Sequence, residues 1–87
     1  MNDREQLILN AIIKHYLEFG ESVGSRTLEK KYEIGVSSAT IRNTMADLED
    51  KGLIVKTHTS SGRIPTSEAY KLYIEELMKI RDISTET

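Results

Sequence analysis

Cysteine is absent from the 87 residues. That absence removes disulfides, thiolate zinc sites and thiol nucleophiles together, and it fits a cytosolic address. Aromatic residues are scarce, at 6%. No uninterrupted apolar run exceeds three residues, Leu53–Val55 being one of that length. A transmembrane helix needs about 20 apolar residues and a secretory signal about 7–15, so neither is expected, and no membrane partner. An excess of positive charge is also missing. Twelve Lys and Arg stand against 14 Asp and Glu, a net charge of −2, which gives no global pull toward nucleic acid. The length suits one small domain, which buries only about 60% of its unfolded surface and has little room for a large cavity. No cofactor is expected. At 38% hydrophobic and 30% charged residues, the composition is that of a soluble globular domain.

The total charge hides a pattern. Residues 1–23 and 67–87 each sum to −2, whereas residues 24–66 sum to +2. Residues 51–66 hold Lys51, Lys56, His58 and Arg63 without a single acid. Exposed charges act over a Debye length of about 8 Å at physiological salt, so a basic strip on an acidic domain can still meet phosphate. Ordinary solvated charge accounts for the strip equally well.

Periodicity predicts four helices and a hairpin. Ile8, Ile12 and Tyr16 recur at helical spacing, so a first helix spans Asp3 to Phe19, with Asp3 as N-cap, Gln6 as its partner and Gly20 as stop. A short second helix covers about Ser25 to Tyr32, and Glu33–Val36 makes a tight turn in which Gly35 takes positive φ. A third helix starts on a Ser37 cap and runs to about Lys51, with Ile41, Met45 and Leu48 inward. The β-branched, apolar segment Leu53–Thr57 reads as a strand, residues 58–62 as a loop, and Arg63–Pro65 as a return strand. A fourth helix begins at Thr66 or Ser67 and carries an apolar face of Tyr70, Tyr73, Ile74, Leu77 and Met78. Residues 1–81 are expected to form the domain, and residues 82–87 a polar, disordered tail.

Helix, short helix, glycine turn, helix and hairpin make a winged helix-turn-helix: a mainly α domain with a three-helix core, a small antiparallel wing and a C-terminal helix. In that fold the third helix enters the major groove. Its leading turn, Ser37, Ser38, Ala39 and Thr40, is small and polar, so the backbone can approach DNA. Arg42 and Asn43 follow, one suited to guanine and the other to adenine. Solvent exposure alone accounts for that pair about as well. Asp47, Glu49 and Asp50 lie in the far half, away from phosphates when the N-terminus docks. In the wing, Lys56, His58 and Arg63 supply charge, Thr59, Ser60 and Ser61 supply donors, and Gly62 permits close approach. Ser25 and Arg26 are placed to touch the DNA backbone. The two histidines have no metal-ligand spacing, His15 reads as structural, and no catalytic motif is present, so no enzyme is expected.

The blocks Glu21–Leu28, Val36–Asn43, Met45–Glu49, Gly52–Ile54 and His58–Thr66 resemble the N-terminal domain of the HrcA heat-inducible transcription repressors, over about Arg4 to Met78. The third-helix block also resembles, more loosely, GntR-type regulators. The HrcA resemblance implies a bacterial repressor of chaperone operons that binds an inverted-repeat operator, CIRCE, as a dimer, with the GroE chaperonin as modulator. It carries the recognition role onto Ser37, Ser38, Thr40, Arg42 and Asn43, and the wing role onto Thr59, Ser60, Gly62 and Arg63. A cytoplasmic, nucleoid-associated location follows from it. Family members continue into a GAF-like domain and a dimerising insert, so the 87 residues read as a short relative or as a fragment. The competing class is a winged-helix module that binds protein and not DNA. Such a face should be apolar, whereas Ser, Thr, Asn, Arg and Gly dominate here.

Overall fold

The computed structural model describes residues 1–58 and 62–85, with side chains described only up to residue 79 in the last helix. The order is α1 (Asp3–Phe19), α2 (Ser25–Lys31), α3 (Ser38–Asp50), β1 (Ile54–Lys56), β2 (Arg63–Pro65) and α4 (Ser67–Thr85). This is the expected winged helix-turn-helix, with helices packed on one another and a two-stranded antiparallel sheet at their side.

The apolar stripe of α1 is the spine of the core. Ile8, Leu9, Ile12 and Ile13 are fully buried and meet Leu28 of α2, Ile41 and Leu48 of α3, and Ile54 of β1 in one cluster. The start of α1 is capped by Asn2 rather than Asp3. The Asn2 side chain accepts from the Glu5 N–H at 2.7 Å, and Glu5 returns the bond by accepting from the Asn2 N–H at 3.0 Å. A carboxylate is the stronger acceptor for this reciprocal box. Gln6, expected in that role, bonds Asn10 one turn on. Gly20 ends α1 at φ 67°, a left-handed conformation that suits glycine.

Helix α2 stops at Lys31, because Tyr32 is already extended at φ −116°. The Tyr32 hydroxyl instead lies 3.0 Å from Nδ1 of His15, which is buried against Phe19. This histidine is therefore structural, as read from the sequence. Gly35 turns the chain at φ 85°, and Ile34 and Val36 flank it, half-buried against the core.

The hairpin pairs Ile54 with Pro65, Val55 with Ile64 and Lys56 with Arg63. Hydrogen bonds from Thr66 to Leu53 and from Thr57 to Gly62 continue the ladder on both sides. Pro65 falls in a pair that asks for no ladder donor, which is how a proline fits there. The strand is shorter than Leu53–Thr57, since Leu53 closes the end of α3 by donating to the Leu48 carbonyl at 3.0 Å.

Thr66 caps α4: its Oγ1 accepts from the Ala69 N–H and donates to the Gly52 carbonyl at 2.7 Å. Ala69 is fully buried, and Tyr70, Leu72 and Tyr73 pack beside it. The rest of the expected apolar face is open, with Ile74, Leu77 and Met78 between 51% and 58% exposed. The α4 backbone is helical to Thr85, past Arg81, where the sequence reading began a tail. Among the described residues, no helix is long and apolar enough to cross a membrane.

Candidate nucleic-acid interface

The core decides which way α3 faces. Ile41, Thr44, Met45 and Leu48 are buried, so Ala39, Arg42, Asn43, Ala46, Asp47 and Asp50 are left outward. At 100° per residue, Ala39, Asn43, Ala46 and Asp50 form the outer ridge, and Arg42 and Glu49 lean to one flank. The ridge is small at its N-terminal half and acidic at its C-terminal end. A partner rich in negative charge meets Arg42 and Asn43 first when it approaches from the N-terminal side.

The leading turn is tightly organised. Ser37 caps α3 by accepting from the Thr40 N–H at 3.3 Å, and its hydroxyl lies 3.2 Å from that of Thr40. The Ser38 N–H donates to Oε2 of Glu29 on α2 at 2.8 Å. Thr44 donates back to the Thr40 carbonyl at 3.0 Å. The hydroxyls of Ser37 and Thr40 are thus engaged in the cap, with Ser37 exposed and Ser38 and Thr40 half-exposed. Arg42 and Asn43 are exposed and make no side-chain hydrogen bond or ion pair with any described residue, which leaves both available to a ligand.

A cleft of about 410 Å³ separates α3 from the hairpin. Ser25 of α2, Arg42, Ala46 and Glu49 of α3, and Lys56 and Arg63 of the hairpin all line it. Four of the residues singled out from the sequence, Ser25, Arg42, Lys56 and Arg63, therefore meet on one concave surface. Lys56 and His58 are exposed, and Arg26 is exposed at the start of α2.

Two wing residues sit differently from the sequence expectation of contact groups. Arg63 is engaged inward: its Nε donates to Oε1 of Glu49 at 2.8 Å, and its side chain is only 17% exposed. Gly62 is buried, and its carbonyl accepts from the Thr57 N–H and from Nη1 of Arg63. Thr59, Ser60 and Ser61 lie outside the described residues. Sequence reasoning missed Glu29 and Glu49 as partners. Neither contact has a local signature, because each joins elements separated by a turn or a strand. Among the described residues, no group of three or more potential metal ligands comes together.

A family model described as "Winged helix-turn-helix transcription repressor, HrcA DNA-binding" matches residues 1–79. Heat-inducible transcription repressor HrcA of Fusobacterium nucleatum subsp. nucleatum is 62% identical over 86 residues, which are 99% of this chain and 24% of that protein. The protein of the same name from Clostridium perfringens is 55% identical over 86 residues, 99% of this chain and 25% of its own. A crystal structure described as that of a hypothetical protein at 2.2 Å resolution matches with a TM-score of 0.86 and 44% identity, covering 100% of this chain and 26% of that one. The chain spans about a quarter of the length of the curated relatives it matches.

Proposed function

The chain belongs to the HrcA family of transcription repressors through its winged helix-turn-helix DNA-binding part, and from that premise we propose that it binds double-stranded DNA sequence-specifically. That family is one of regulators and not of enzymes. The target is an inverted-repeat, CIRCE-type operator upstream of bacterial heat-shock (chaperone) genes. Helix α3 enters the major groove by its N-terminal half, Arg42 and Asn43 read base edges, and Ser37, Ser38 and Thr40 line the approach. Arg26, Ser25 and Lys56 meet phosphate, as do His58, Thr59 and Ser60, and they set orientation rather than sequence preference.

The observation that carries this reading is the outward ridge of α3. Ala39 and Ala46 leave the backbone accessible, and Arg42 and Asn43 stand exposed between them, unengaged by any described residue. A protein-docking face would present large apolar groups there.

Two inverted half-sites call for two copies, so the full-length protein acts as a homodimer, in the cytoplasm at the nucleoid, with the GroE chaperonin as its modulator. Binding measured over a salt titration with an inverted-repeat operator, a single half-site and scrambled DNA tests the proposal. The operator should be preferred at every salt concentration. Equal affinity for all three duplexes would refute sequence-specific recognition and favour a protein-interaction module.

A further inference from the structure

Arg63 is where three parts of the fold meet. Its N–H donates to the Val23 carbonyl at 3.0 Å, and its carbonyl accepts from the Val23 N–H at 3.1 Å, so the segment before α2 pairs with the wing. It also faces Lys56 across the hairpin. Its side chain reaches α3, where Nε donates to Glu49, while Nη1 turns back to the Gly62 carbonyl at 3.2 Å. The hairpin itself has strands of three residues each, and a two-stranded hairpin of that size is marginal without an anchor.

We propose that Glu49 and Arg63 form a strut that fixes the wing against the recognition helix, so that both are positioning residues for DNA binding and Arg63 is not a phosphate contact. The inference rests on the DNA-binding reading above. The guanidinium is held from two sides, by the charge-assisted Nε bond to Glu49 and by the Nη1 bond to the Gly62 carbonyl, so its direction as well as its distance is fixed. Here it sets the offset of Lys56 and His58 from Arg42 and Asn43, on which simultaneous contact with groove and backbone depends. Glu49 is an acid on the cleft wall, so a purely electrostatic view expects its removal to tighten DNA binding. The strut predicts the opposite sign.

The test uses Glu49→Gln, Arg63→Ala, and the exchanged pair Glu49→Arg with Arg63→Glu. Without DNA, amide hydrogen exchange at Val23, Thr57 and Arg63 should speed up in both single variants while the α1 core amides stay protected. With the operator, both single variants should bind about 2- to 5-fold more weakly, the size of a partly exposed ion pair, with an unchanged slope against log salt. The exchanged pair should regain most of that loss. Unchanged exchange at all three amides overturns the strut. So does tighter binding by Glu49→Gln, or a slope flattened by about one ion in Arg63→Ala alone, since a phosphate contact gives that. If the unmodified protein binds no duplex, the DNA reading fails, and the exchange measurement still decides the strut.

Discussion

The carboxylate of Glu29 on α2 accepts a hydrogen bond from the backbone N–H of Ser38 at 2.8 Å, so an acid from the neighbouring helix holds the first turn of α3. Helix α3 has no acid in its own first turn. A free helix N-terminus attracts phosphate, and here a carboxylate already occupies part of that position. Replacing Glu29 by Gln should therefore lower stability by about 0.3–1 kcal/mol and raise affinity for random DNA at low salt. Thermal melting and binding to scrambled duplex check the two effects. Weaker binding to scrambled DNA would show that Glu29 serves only to position α3.

Arg42 and Asn43 are both exposed, Asn43 on the outer ridge of α3 and Arg42 on its flank. Arg42→Ala should cost about 1–3 kcal/mol on the operator and relax preference at one base position, as loss of a bidentate base contact does. Competition among operators changed one base pair at a time measures this. An equal loss on random DNA would make Arg42 a phosphate contact instead.

Arg26, at the start of α2, and Lys56, on the cleft wall, are exposed cations. Alanine at either should weaken binding almost uniformly across sequences. Each should flatten the dependence of log affinity on log salt by about 0.9, one released counterion per phosphate contact. An unchanged slope in both variants would place the DNA backbone elsewhere.

Much of this architecture was legible in the residues. The i, i+4 stripe of α1 and the β-branched run before Lys56 depend on local periodicity, so α1, α3 and the hairpin fall where the sequence places them to within one residue at each end. The contacts that shape the site were not legible. Glu49 and Arg63 lie 14 residues apart, and Glu5 and Lys51 lie 46 apart. Their meeting depends on how the helices cross and where the hairpin folds back, which no local pattern records. The same limit applies to α4, whose apolar stripe looks continuous although the core covers only its first two turns.

Ile12 and Leu48 are fully buried, whereas Leu77 is 51% exposed. Alanine at Ile12 or Leu48 should cost about 2–5 kcal/mol, a large share of the roughly 5–15 kcal/mol that holds a domain together. Alanine at Leu77 should stay within about 0.5 kcal/mol. Urea midpoints of the three variants rank them, and a large loss at Leu77 would mean that α4 packs more extensively than its exposure indicates.

Glu5 links the start of α1 to the end of α3 through Lys51, with Nζ 2.6 Å from Oε2. The hydrogen bond from Lys51, then that from the Asn2 N–H, holds its carboxyl below the ordinary value of 4.5. A native pKa below the unfolded one means that the native state releases its proton more readily. The contribution to stability is therefore complete above the ordinary carboxylate range and disappears as pH falls through the lowered native value. Glu5→Gln should be less stable than the unmodified protein at pH 7, and the gap between their urea midpoints should close on acidification. A gap that stays constant from neutral to acid pH would mean that the glutamine loses packing rather than the ion pair.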